Sequence, residues 1–163
     1  MTRDLIADRV VHAVGIGLGL VAAIVLVLVT VNDGGSGDLL PVLIYTTGLL
    51  AMLGCSAAYN VFHTSNRREW LRRFDHAAIF IMIAGTYTPF TTRLSEGWAL
   101  GLTAAIWAVA AMGIVLKLWQ PRRIETISIA LYLALGWIGL AAVAPFRAAL
   151  DARTLSLLAL GGI

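Results

Sequence analysis

The sequence predicts an all-α, polytopic integral membrane protein: a single helical bundle over residues 1–163 with five complete transmembrane helices and a partial sixth. Three observations carry this. Apolar residues make up 60% of the chain, against roughly 45–50% in soluble domains. Charged residues are only 13%, about half the usual share. The charges also fall in clusters, separated by uncharged runs long enough for a helix to cross the ~30 Å hydrocarbon core. Such a composition excludes a disordered chain, a nucleic-acid-binding domain and most soluble enzymes. The single cysteine, Cys55, excludes an intramolecular disulfide framework.

The first span is expected near 11–31, because no side chain from Val10 to Asn32 is charged and only His12 titrates near neutrality. NDGGSGD, 32–38, is a turn-rich loop. The second span is expected near 39–62. The polar stretch HTSNRREWLRR, 63–73, carries four arginines before a third span near 75–92, which opens on Asp75 and His76. Residues 93–97 form a tight loop. The fourth span is expected near 98–116, and 117–123 reads as a basic loop broken by Pro121. The fifth is expected near 125–146. After a loop, 154–163 supplies ten apolar residues, too few to cross a bilayer as a helix.

Counting Lys and Arg on alternate sides of these spans puts nine on one side and three (Arg93, Arg147 and Arg153) on the other. Basic residues favour the cytoplasmic side. The expectation is therefore a multi-pass protein of the inner (plasma) membrane with a cytoplasmic N-terminus and membrane lipids as its partners. Trp70, Trp98 and Trp119 fall near predicted interfaces, where indoles anchor.

Polar residues inside spans are costly and mark candidate chemistry. His12, His63 and His76 lie at the inner ends of the first, second and third spans, at one depth with Asp75. Imidazole and carboxylate are zinc-type ligands, so the three histidines are candidate metal residues. Ser56, Asn60 and His63 share a face at i, i+4, i+7. Either that stripe lines a polar site, or its members bond within their own helix or to a neighbour. Asp75 either works in that site or pairs with Arg72 or Arg73. Thr86, Tyr87, Thr88 and Pro89 make a polar patch at the far end of the third span, where Pro89 kinks or ends the helix. Gly15 and Gly19 form a G-x-x-x-G that permits close helix contact.

The stretch FDHAAIFIMIAGTYTPF, 74–90, resembles the signature of the hemolysin III family, supported by ADRVVHAVG at 7–15 and CSAAYN at 55–60. That family belongs with the progestin and adiponectin receptors and is more distantly similar to alkaline ceramidases. The resemblance implies a seven-helix fold with the N-terminus inside and an intramembrane zinc near the cytoplasmic face. The implied pattern is a serine and a histidine four residues apart on the second span, an aspartate opening the third, and H-x-x-x-H on a seventh. Ser56 and Asp75 match the first and third of these as implied catalytic residues; Asn60 stands where the histidine is expected. The sequence stops before any seventh span, so a C-terminally truncated member is expected, with zinc in the full-length family and not tightly held by this chain. Three functions follow as alternatives: a metal-dependent hydrolase of lipid amides or esters serving membrane-lipid homeostasis, a pore-forming cytolysin, and a receptor-like protein without catalysis.

Overall fold

The computed structural model describes residues 2–33, 36–62, 67–119 and 125–161. Among the described residues there are seven helices and no strand: α1 (Thr2–Asn32), α2 (Ser36–Val61), α3 (Arg68–Thr91), α4 (Glu96–Trp119), α5 (Glu125–Ala141), α6 (Val143–Ala149) and α7 (Ala152–Gly161). The all-α reading holds. Three helices are long and apolar enough to span a bilayer: Ala7–Asn32, Gly37–Val61 and Glu96–Trp119. A fourth span results if the bent pair α5–α6 is counted as one.

The fifth span is not one helix, and this corrects the expectation of a continuous run over 125–146. α5 and α6 meet at 54° around Ala142. The cause is Pro145, whose ring would clash with the carbonyl four residues earlier, at Ala141, and whose nitrogen has no proton to donate to it. α5 ends at Ala141, and Pro145 sits inside the first turn of α6. Pro89 has a milder effect because α3 continues through it for only two residues, to Thr91. The ten residues of α7 form a helix packed on α6, none of them buried among those described. Its N-terminus is capped by Asp151, whose Oδ1 accepts the Thr154 amide at 2.9 Å. Hydrogen bonds from Thr154 hold the Asp151 carboxyl below its ordinary range.

α3, at 24 residues, is long enough to span but falls outside the apolar set, because it is polar at both ends. It can be so because it is the central helix, packed between α2 and α4 and touching α5. Against α2 the approach is backbone to backbone: a Cβ on Gly85 would lie 3.3 Å from the Ile44 carbonyl oxygen, and one on Gly48 3.3 Å from that of Ile81. Against α4 the contacts run antiparallel. Arg73 donates to the Leu118 carbonyl, the Phe80 ring lies at Gly113, Trp107 Nε1 donates to Thr88 Oγ1, and Thr103 Oγ1 donates to Thr91 Oγ1. The Trp107 contact takes Thr88, one residue of the expected polar patch, into this seam. Against α5 the direction is parallel: Tyr132 reaches His76 and Tyr87 reaches Gly136 and Gly139. The apolar core sits where these helices meet, around Phe80, Ala84, Ile106, Ala110 and Leu135.

Gly15 and Gly19 do face α2, but across the side chain of Leu53 rather than against its backbone. At the end of the bundle opposite the arginines, Arg93 pairs with Asp38 and ties the start of α2 to the α3–α4 turn. Both side chains are well exposed, so the pair contributes at most about 1 kcal/mol.

Candidate functional site

Asp75 lies in the second turn of α3, half-buried, at the arginine-rich end. Its carboxylate is within electrostatic reach of the Cys55 thiol on α2 and the Tyr132 phenol on α5. Three helices therefore converge on it. The α2–α3 register explains the first partner: Gly48 opposes Ile81 and Gly85 opposes Ile44, so antiparallel counting brings Asp75 level with Cys55. The residue next to the expected serine is thus the one level with the acid.

His76 is half-buried, and its carbonyl accepts the Tyr132 hydroxyl at 2.8 Å. The same tyrosine packs on Phe80, ring centroids 4.4 Å apart, which fixes α5 against α3 directly above Asp75. Ser128, one turn before Tyr132, is 2% exposed. Lys117 is also 2% exposed, and here the structure corrects the sequence reading. Lys117 is not in a loop, because α4 continues to Trp119. The α3–α4 ladder carries Lys117 opposite the Asp75–His76 turn. His76, Lys117 and Ser128 each have an interaction partner. At the arginine-rich end of α3, α4 and α5, buried Lys117 and Ser128 therefore lie near the level of half-buried Asp75, His76 and Tyr132. Sequence reasoning missed Lys117, Ser128 and Tyr132. Only Lys117 left a signal, as a charge one residue beyond an uncharged run.

The other expected site residues are placed less centrally. Ser56 and Asn60 are half-buried on α2, and the Asn60 side-chain amide donates to the Ser56 carbonyl at 2.9 Å. This is the intrahelical alternative for a polar stripe, and it occupies the amide with its own helix. His12 is half-buried on α1, on the face that carries Gly15 and Gly19 toward α2. His63 lies outside the described residues.

The zinc implied by the family resemblance can be tested on these donors. A site of this kind uses three protein ligands, chiefly imidazole, carboxylate or thiolate. Among the described residues no three His, Cys, Asp or Glu side chains are grouped to share an ion. Asn60, where an imidazole is implied, is a poor ligand and is turned to its own backbone. The described donors do not fit the metal, and no chemistry is routed through it.

Residues 6–163, with every helix of the bundle from the first turns of α1 onward, match the Haemolysin-III related family. The Hemolysin-3 homolog of Bacillus subtilis (strain 168) is 33% identical over 163 residues, covering 99% of this chain and 76% of that protein. Hemolysin-3 of Bacillus cereus is 31% identical over 164 residues, covering 99% and 74%. No solved structure shows significant similarity to the chain. The match takes in the central α3 with its Asp75 and the buried polar end it shares with α4 and α5, and so this multi-pass membrane protein belongs to the Haemolysin-III related family.

Proposed function

We propose that the protein serves membrane-lipid homeostasis in the plasma (inner) membrane, and that its buried polar centre receives the polar part of a membrane lipid. One observation carries the reading: Asp75 is kept half-buried in a membrane bundle, within electrostatic reach of groups on two other helices. An acid is expensive at such a place and is retained where it has work to do. A lipid offers hydroxyl and amide donors to a carboxylate, and the Tyr132 phenol lies within electrostatic reach of it. The role assigned is binding. Ser56 and Asp75 remain the residues for a hydrolytic extension of it.

The expected result is that the purified protein retains co-purifying lipid in native mass spectrometry and that Asp75→Asn loses most of it. A charge-assisted hydrogen bond is worth about 1.5–3 kcal/mol, so the drop should be about tenfold or more. Equal lipid retention by both proteins overturns the reading. About one zinc per chain, lost on His63→Ala or His76→Ala, would move it to a metal-dependent hydrolase. Conductance in planar bilayers would move it to the cytolysin.

The same proposal places the arginine-rich end in the cytoplasm, because nine of the twelve basic residues belong to that end. In a Cys55→Ala background, Gly37→Cys at the start of α2 should react with an impermeant maleimide added outside intact cells. Reaction only after permeabilisation reverses the orientation.

A further inference from the structure

Pro145 weakens the α5–α6 segment, and a side chain from α3 is placed to hold it. The pair bends by 54° at Ala142. At the bend the Ala142 amide donates to the Gly139 carbonyl at 3.1 Å, one residue nearer than the α-helical pattern. The Ala141 carbonyl, four residues before Pro145, meets a nitrogen with no proton to give. Backbone bonds alone therefore determine this stretch weakly.

The Tyr87 side chain crosses from α3 to this place. Its hydroxyl donates to the Gly136 carbonyl at 2.9 Å and accepts from the Gly139 amide at 3.3 Å. Both partners lie in the last two turns of α5, immediately before the bend. Gly139 is thus engaged twice, its amide by Tyr87 and its carbonyl by Ala142. The approach needs a glycine there, since a Cβ on Gly139 would lie 3.1 Å from the Tyr87 hydroxyl and ring. Gly136 differs: a Cβ there has no atom within 4 Å. A side chain set into a helix's own bond ladder is a known cause of bending. Here it also fastens the bent helix to α3.

Beyond the bend, α6 carries Phe146 into the apolar core, in one cluster with Leu94 and Ala142. α7, which follows, has no buried residue among those described. Between helices in lipid, hydrophobic burial adds little to association, so close packing and hydrogen bonds decide which arrangement holds. The Phe146 seat and the Tyr87 bonds lie on opposite sides of the bend and set its angle together.

We propose that the bend at Ala142 is a hinge and that the Tyr87 hydroxyl is its latch. With the latch closed, α6 keeps the angle that seats Phe146 in the core. When the hydroxyl leaves Gly136 and Gly139, α6 turns about Ala142 and Phe146 withdraws. The core then opens to the bilayer at the end opposite the arginines. This device is independent of the lipid reading above, because Asp75 lies near the other end of α3.

The test is amide hydrogen exchange, read by mass spectrometry, on the full chain in nanodiscs. Arg147 keeps this part of the segment near the bilayer surface, where water reaches it. Tyr87→Phe removes only the hydroxyl. It should raise exchange across residues 139–150 about three- to fifteenfold, the worth of one interhelical hydrogen bond in a membrane bundle. Peptides covering the α2–α3 contact at Gly48 and Gly85 should not change. Gly139→Ala, whose Cβ pushes the ring away, should reproduce the increase with the hydroxyl still present. Gly136→Ala should not, because its Cβ meets nothing. Unchanged exchange in Tyr87→Phe overturns the proposal. So does an equal rise across α2, α3 and α4, which would make Tyr87 a general packing residue. Equal effects of Gly136→Ala and Gly139→Ala would overturn it as well, since the place of the hydroxyl would then not matter.

Discussion

Truncating Phe80 to alanine is expected to lower the stability of the bundle by about 3 kcal/mol, the low end of the range for such truncations in soluble cores. Phe80 is 0% exposed and is the largest fully buried side chain. It joins α3 to α4 at Gly113 and to α5 through Tyr132. The low end applies because leaving lipid for protein brings little hydrophobic gain; what is lost is packing, and no lipid can reach the cavity. A thermal shift of about 6–12 °C follows for a chain of this size. The half-buried Cys55 supplies the probe, since a thiol-reactive dye reports its unmasking on heating. A second substitution sharpens the result. Gly113→Leu alone should also destabilise, because even its Cβ would overlap the Phe80 ring. In the Phe80→Ala background the same leucine refills the vacancy, so the double variant should be more stable than either single one. Additive losses would sink this account of the core.

Gly85→Leu should have an effect of similar size for a different reason. Here the opposing atoms are backbone, the Ile44 carbonyl oxygen at 3.3 Å and the Tyr45 Cα at 3.5 Å from a Cβ at this position. A flexible neighbour can swing away; a helix backbone cannot, so a branched side chain must push α2 and α3 apart. The expected cost is about 1–3 kcal/mol, and the separation should also remove Cys55 from Asp75, raising dye reactivity before any heating. Gly85→Ala should be far milder, and Gly17→Leu neutral, since a Cβ on Gly17 has no atom within 4 Å. Equal behaviour of Gly17→Leu and Gly85→Leu would refute the close packing of α2 on α3.

The glycines show where reading ahead of the fold succeeded and where it stopped. G-x-x-x-G at Gly15 and Gly19 was legible, and it does lie on the α1–α2 contact. The closer contact uses Gly48 and Gly85, which sit on different helices and form no motif. Pairing of residues on separate helices is set by register, and register is a property of the packed pair. The break before Pro145 is different. It follows from proline's missing donor and its clash with residue i−4, both of them local properties of the sequence.

The helical class, the bilayer-length runs, the clustering of charge at one end and the family motif over 74–90 were determined by the sequence alone. Each depends on a local quantity: the length of an uncharged stretch, the place of an arginine, a string of neighbouring residues. Which polar groups meet was decided only by the tertiary structure. Asp75 comes level with Cys55 because α2 and α3 lock at Gly48 and Gly85. Tyr132 joins the site because α5 runs parallel to α3 and lands on His76. Lys117, which looks like the first residue of a basic loop, becomes a buried cation because α4 continues past it along α3 and Arg73 closes the helix end at Leu118. A charge leaves water only where other elements receive it, and a linear sequence does not say which elements those will be.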